Sequence, residues 1–187
     1  MKSLAAEIAE DRIPAILEVP DGRLRTKARP VTDADRETIA DLVPRMFAAM
    51  YRAPGIGLAA PQVGIGLRLV VLDLAPEEVP TPLVLVNPRI IMESEELATR
   101  EEGCLSLPGQ YAEVTRPARI TAEFEDASGR IERIDADGLL AACIQHEIDH
   151  LDGVLFVDHL SALKRNMLLR KLAKEQRERR DRTRRRA

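Results

Sequence analysis

Two of the chain's three histidines fall in one pentapeptide, His146-Glu147-Ile148-Asp149-His150. On a helix, positions i and i+4 share a face about 5.4 Å apart along the axis, so both imidazoles can reach one metal ion. Glu147, roughly 100° further round, is badly placed to ligate and well placed to touch a water on that metal. The competing reading is a helix that merely carries a polar face. Against it, Leu139, Leu140, Ala142, Cys143, Ile144 and Leu151 flank the motif and predict burial. Two buried histidines and two buried acids without partners or metal would be costly.

A catalytic metal site needs about three protein ligands and one open position. Cys104, Cys143, His159 or an acid could complete the set. Cys143 shares the helix but lies about 7.5 Å along the axis from the midpoint of the two histidines, too far for a short thiol. Its expected role is that of a small buried hydrophobe. His159 follows the apolar stretch Val154–Val157 and reads as a satisfied or exposed histidine. Cys104 sits in Glu101-Glu102-Gly103-Cys104-Leu105-Ser106-Leu107-Pro108, where the glycine permits close backbone approach. On these grounds it leads, with the others left open.

Gly55-Ile56-Gly57-Leu58-Ala59-Ala60 matches the loose G-x-G-x-x-A dinucleotide pattern, with Asp73 near the ribose-acid offset. That pattern needs a strand before it and a helix after it. Here a helical stretch precedes, and Pro61, Gly64 and Gly66 occupy the place of the helix. The glycines instead offer backbone N–H and C=O groups to an extended ligand, and Gln62 adds an amide donor.

The elements that must carry these residues can be placed coarsely. Asp33–Tyr51 reads as a helix, with Ile39, Leu42, Val43, Met46 and Met50 at helical spacing and Pro54-Gly55 as its stop. Leu67–Asp73 and Leu83–Asn87 read as strands. Arg119–Asp126 and Gly129–Asp135 form a hairpin pattern around Ala127-Ser128-Gly129. Leu139–Leu151 is a largely buried helix stopped by Asp152-Gly153. Ser161 caps a last helix with an apolar stripe of Leu163, Met167, Leu168 and Leu172. Beyond Lys174 only Ala187 is apolar, so residues 175–187 read as a basic tail with nothing to pack, attached to a catalytic domain of residues 1–174. Together these predict an α+β fold: short antiparallel sheets around a central helix bearing the His-Glu-x-x-His motif, plus a C-terminal helix.

Composition narrows the function classes. At 187 residues, 45% hydrophobic and 32% charged, the chain is too apolar for disorder and too charged for a bilayer protein. No uncharged apolar run approaches the ~20 residues of a membrane span. Met1–Glu7 gains an acid before any leader-type apolar core forms. Two cysteines are not a disulfide framework, which points to a reduced, cytoplasmic compartment. Five aromatics and no Trp argue against a base-stacking platform. Charge is uneven. Residues 164–187 carry twelve basic and three acidic side chains, net +9, whereas the first 163 carry sixteen and twenty-eight, net −12. A basic end on an acidic body fits either a solvated helix end or a polyanionic partner such as RNA or a ribonucleoprotein.

Three segments together carry a resemblance. Gly55–Gln62, Glu102-Gly103-Cys104-Leu105-Ser106 and His146–His150, in this order and spacing, resemble the three motifs of the peptide deformylases. Ile16–Arg25, Asp137–Ala141 and Asp158–Ser161 extend the likeness over roughly residues 14 to 172. The resemblance implies a metal-dependent hydrolase that removes the formyl group from the N-terminal formylmethionine of nascent bacterial polypeptides. It implies Cys104, His146 and His150 as metal ligands and Glu147 as general base for hydroxide attack. The Gln62 amide and the Leu105 N–H become the oxyanion donors. Ile56, Leu139, Ala142 and Cys143 would line a methionine pocket, and the peptide would run as an added strand beside Ile56, Gly57 and Gly103. One divalent metal per chain is implied, natively Fe²⁺, with Zn²⁺, Ni²⁺ or Co²⁺ able to replace it. The basic C-terminal helix, Lys164–Arg186, matches members that dock on the ribosome, and a monomer is expected.

Two features depart from the commonest pattern: residues 1–13 precede the usual start, and Tyr111 stands where many members have arginine. Two rival readings remain. H-E-x-x-H is shared with zinc peptidases, although those usually take their third ligand downstream. A non-catalytic ribosome- or RNA-binding module would not need the intact ligands and Glu147.

Overall fold

The computed structural model describes residues 8–75 and 79–185. The stretch read above for a leader, Met1–Glu7, and the last two residues of the basic end, Arg186 and Ala187, lie outside the described residues.

The architecture is α+β. Seven strands are described: β1 (Gly57–Ala59), β2 (Leu69–Leu72), β3 (Leu83–Glu93), β4 (Leu97–Gly103), β5 (Tyr111–Pro117), β6 (Arg119–Glu125) and β7 (Ile131–Asp137). They form a five-stranded sheet in the order β1-β2-β3-β6-β7 and a separate β4–β5 hairpin. All these strand pairings are antiparallel, so no βαβ unit surrounds the glycine loop. Among the described residues three α-helices, α1 (Arg36–Arg52), α2 (Gly138–Leu151) and α3 (Ala162–Arg184), complete the frame.

Strand β2 explains the layering. Its four residues are all buried, and successive side chains point to opposite faces. Val70 and Leu72 pack with Ile144, Ile148 and Leu151 of α2. Leu69 and Val71 pack with Met46, Phe47 and Met50 of α1. The sheet is thus covered by a helix on each face, which is why β2 reads as a continuous apolar run rather than an alternation. The α1 face is the one expected from spacing. Its start is fixed by Asp35, whose carboxylate accepts bonds from the Thr32 N–H (2.8 Å) and hydroxyl (2.9 Å).

Three elements differ from expectation. β3 does not stop at Asn87 but continues through Pro88 to Glu93. Asn87 adopts φ 52° there, and the register against β6 shifts between Val86 and Arg89. The Asn87 amide accepts from the Val31 N–H (2.8 Å) and donates to the Val31 carbonyl and to Glu125 (both 3.0 Å), which fixes the bulge. The β4–β5 hairpin carries too many exposed charges for a clear alternation, and the sequence pattern missed it. In α3, Leu163 (72% exposed) and Met167 (63%) face outward, while Leu172 is buried and Leu168 and Leu169 pack beside it. The tail is corrected too: α3 runs unbroken to Arg184 and does pack, through polar bonds. Gln176 donates to the Val19 carbonyl (2.7 Å), Arg179 pairs with Glu18 (2.8 Å) and Gln110 donates to Glu175 (2.8 Å).

Asn87→Ala should destabilise the protein by about 2–4 kcal/mol, from lost hydrogen bonds and a side chain forced to positive φ. Asn87→Gly should cost about 1 kcal/mol less, because glycine removes only the conformational part. Urea unfolding of the metal-loaded variants checks this; equal losses would show that the backbone conformation at residue 87 stores no strain.

Candidate active site and metal centre

α2 is buried because one side closes the sheet, and this places its motif against two other elements. His146, Glu147 and His150 are all buried. They face the end of β4, the turn that follows it, and the start of β1. Cys104 Sγ and the two imidazoles present donor atoms that all lie within 4.8 Å of one another. Cys104 Sγ stands 3.2 Å from His150 Nε2. Glu102 Oε2 lies 2.9 Å from His146 Nδ1; a proton shared there leaves Nε2 as the lone-pair nitrogen. One soft thiolate and two imidazoles are a ligand set suited to a divalent transition metal, so the residues fit the implied ion.

Glu147 lies against Gly57. A Cβ at Gly57 would meet Glu147 Oε1 at 2.5 Å and Cys143 Sγ at 2.9 Å, so this glycine makes room for the carboxylate. Burial pushes the Glu147 carboxyl up to about 7, and its Oε2 has no hydrogen-bond partner among the described residues. Burial would raise Glu102 as well, but hydrogen bonds from His146 and Arg116 outweigh it and hold that carboxyl down at about 2. Cys143, raised well above the usual thiol range by burial and by the nearby Glu147 and Glu102 charges, is a packed thiol 3.9 Å from the Ile56 carbonyl. His159 is satisfied by Asp149 at 2.7 Å, as read from its surroundings.

Gln62 lies in the buried 3₁₀ turn Ala60–Val63. Its Oε1 accepts from the Ala59 N–H (2.8 Å), which turns Nε2 toward Cys104 Sγ (3.6 Å) and Ser106 Oγ (3.1 Å). The Leu105 N–H has no backbone acceptor among the described residues. A cleft of about 880 Å³ opens over this group. Gln62, Cys104, Leu105, His146 and Glu147 line it together with Ile56, Gly57, Gly103, Leu139, Ala142 and Cys143. His150 stands behind that lining, buried against Cys104. Ile56 and Leu139 are 39% and 51% exposed and present apolar surface to the opening. Tyr111, paired across the hairpin with Gly103, lays its ring over that glycine: a Cβ there would meet Tyr111 Cε1 at 2.5 Å.

The family model described as Polypeptide deformylase matches residues 13–166. The chain belongs to the polypeptide deformylase family. It is 52% identical over 171 residues to a peptide deformylase of Zymomonas mobilis, covering 89% of this chain and 96% of that one. A Rhizobium meliloti peptide deformylase is 51% identical over 165 residues, covering 87% and 93%. Among solved structures, the Legionella pneumophila peptide deformylase superposes with a TM-score of 0.83 at 47% identity, covering 89% of this chain and 97% of that one. The Synechococcus elongatus peptide deformylase, solved in complex with actinonin, gives 0.81 at 45%, covering 87% and 89%.

This deformylase also carries residues around the donors to which the sequence reading gave no role. Glu102 receives both Arg116 Nε (2.6 Å) and Nη2 (3.0 Å), and Arg116 Nη1 reaches Asp149 (2.8 Å). Ser106 supports Gln62 and also directs its own N–H at Cys104 Sγ (3.4 Å). The signal for Glu102 was its place two residues before Cys104, on the same face of β4 as the interior. Arg116 had no comparable signal, since a lone arginine in a strand reads as solvated.

Glu102→Gln keeps the shape of the side chain and removes the charge that orients His146. It should weaken metal binding about 10- to 100-fold, as expected for an outer-sphere partner. Chelator competition measures this, with circular dichroism confirming the fold; unchanged affinity would remove Glu102 from that role.

Proposed function

We propose that this deformylase hydrolyses the formamide of nascent N-formylmethionyl peptides, with Cys104, His146 and His150 holding one divalent metal and Glu147 acting as general base. The observation that carries the reading is that Cys104, His146 and His150 bring their donor atoms within 4.8 Å of one another at the floor of a cleft that Cys104, His146 and Glu147 line. Bound there, the cation would supply a water acidified enough to be deprotonated near neutral pH. Glu147 takes that proton as the water oxygen bonds to the formyl carbon, then delivers it to the amine as the C–N bond breaks. The products are formate and a free methionyl amine. The Gln62 Nε2–H and the Leu105 N–H donate to the oxygen that gains charge.

The peptide fits as an added strand. Among the described residues β1 is the outermost strand of its sheet and β4 has β5 on one side only, so two strand edges are open to backbone pairing. The methionine side chain enters beside Ile56, Leu139, Ala142 and Cys143. We take Fe²⁺ as the resident metal, with Zn²⁺, Ni²⁺ and Co²⁺ compatible with the same donors. We place the protein in the cytoplasm as a monomer, in keeping with its two free cysteines, and keep residues 1–174 as the catalytic unit with 175–187 as its basic extension. No helix among the described residues is long and apolar enough to cross a membrane.

The deciding experiment is anaerobic turnover of formyl-Met-Ala-Ser with metal analysis of the same sample. One metal per chain with rapid formate release supports the proposal; a fully metallated protein inert to this peptide would overturn it. Glu147→Ala should lower kcat by about 10²–10⁴-fold and Gln62→Ala by about 10²–10³-fold. Gly57→Ala, which displaces the Glu147 carboxylate, should lower it about 10²-fold. All three should keep one metal per chain.

The exposed arginines of α3 are also proposed to dock on the ribosome. Replacing Lys174, Arg177 and Arg180 by Gln should reduce the slope of log affinity against log salt by about 3. Cosedimentation with ribosomes across a salt series reads it, and an unchanged slope would exclude this surface.

A further inference from the structure

Arg100 stands out among the residues lining the cleft. Apart from His146 it is the only basic side chain in that lining among the described residues. The other charged groups there are matched or turned away. Glu102 is held by Arg116 and His146, Glu18 by Arg179, and Glu147 lies buried at the floor. Glu101 also lines the cleft, but it alternates with Arg100 along β4, so its carboxylate lies on the opposite face of the strand from Arg100. Arg100 is exposed and has no ion pair or side-chain hydrogen bond among the described residues. Its guanidinium rests beside the first turn of α2, with Nη2 3.7 Å from where a Cβ of Gly138 would stand. A cation gains nothing from the positive end of a helix dipole, and no ion pair joins it to Asp137, so nothing there neutralises it.

Its position along β4 says what it can reach. A peptide with its formyl group at Cys104 must lead away from that residue, past Gly103 and back along β4. Side chains of a strand alternate, so those of its first and third residues share a face. That face is the α2 side, where methionine enters and where Arg100, in step with the inward-pointing Glu102, projects. The third residue lies about 7 Å along the strand from the first and Arg100 about 10 Å back from Gly103, a gap an arginine side chain spans.

We infer that Arg100 is a specificity-determining residue that selects formylated peptides with an acidic side chain at their third position. This rests on the deformylase reading and on the added-strand path of the peptide. The test compares kcat/KM for formyl-Met-Ala-Glu, formyl-Met-Ala-Ala and formyl-Met-Ala-Lys in the wild type, Arg100→Gln and Arg100→Glu. Ratios are taken within each enzyme, so a general loss of activity cancels. The wild type should prefer Glu to Lys by about three- to tenfold, through KM, with the preference shrinking at high salt. It should fall to near one in Arg100→Gln and invert in Arg100→Glu. A ratio that is the same in all three enzymes, or a charge preference that follows the second residue instead, would overturn it. If the wild type turned over none of the three peptides, the deformylase reading itself would fall, and this inference with it.

Discussion

The carboxylate of Glu102 joins the three parts of the molecule that must stay in register. It comes from β4, takes two bonds from Arg116 of β5 and one from His146 of α2. A single buried charge of this kind would be strongly unfavourable, and so would an isolated buried arginine. Each is tolerated because the other is there, and Asp149 balances the remaining guanidinium edge. The hairpin shares no strand pairing with the main sheet, so backbone hydrogen bonds alone would leave the distance from β4 to α2 weakly determined. The ion network fixes it, and with it the distance from Cys104 to the two histidines.

The same packing that holds the donors makes the Glu147 carboxylate costly to keep. Glu147 is almost fully buried, its Oε2 has no partner among the described residues, and burial raises its carboxyl toward neutrality. A glutamine there would fit the space and avoid the charge, so fold stability gives no reason for a carboxylate. Gly57 shows the same priority: β1 omits a side chain to admit the acid, although glycine weakens a strand. Local stability is given up to seat a buried carboxylate beside the donors, which is the pattern of a functional rather than a structural residue.

Much of this was legible in the sequence, and the division follows from physics. The motif helix, α1 and the β6–β7 hairpin announce themselves because one apolar face or one turn decides each of them. The two histidine donors are legible because their spacing on a helix is a strict geometric statement, whereas Cys104 led among several candidates and was singled out only by the family resemblance. The β4–β5 hairpin was not legible, since Thr99, Arg100 and Glu101 face solvent or the cleft and no buried stripe marks it. Nor was the continuation of β3, because Asn87-Pro88 normally ends a strand, and only long-range bonds to Val31 and Glu125 hold it open. Arg116 illustrates the limit most clearly. Its partners lie fourteen and thirty-three residues away, and only the assembled fold tells a buried arginine from a solvated one.

The extension of α3 past its apolar stripe has its reason in the Gln62 side of the cleft. Leu17 donates its N–H to the Gln62 carbonyl at 2.7 Å, and Val19 donates to the Ser106 carbonyl at 2.9 Å. This short extended segment therefore ties together the turns that carry Gln62 and the Cys104–Ser106 loop. Bound on one side only, it would hold those turns no more firmly than its own backbone is held. Its other side is gripped by α3: Gln176 takes the Val19 carbonyl and Glu18, and Arg179 pairs with Glu18. Glu175 meanwhile bonds Gln110 at the cleft wall. Apolar packing ends near Leu172, and from there polar contacts carry the helix along the segment that ties the Gln62 turn to the Cys104–Ser106 loop. A sequence pattern scored on apolar residues sees a loose tail at that point, whereas the structure uses that stretch to set the position of Gln62 relative to Cys104.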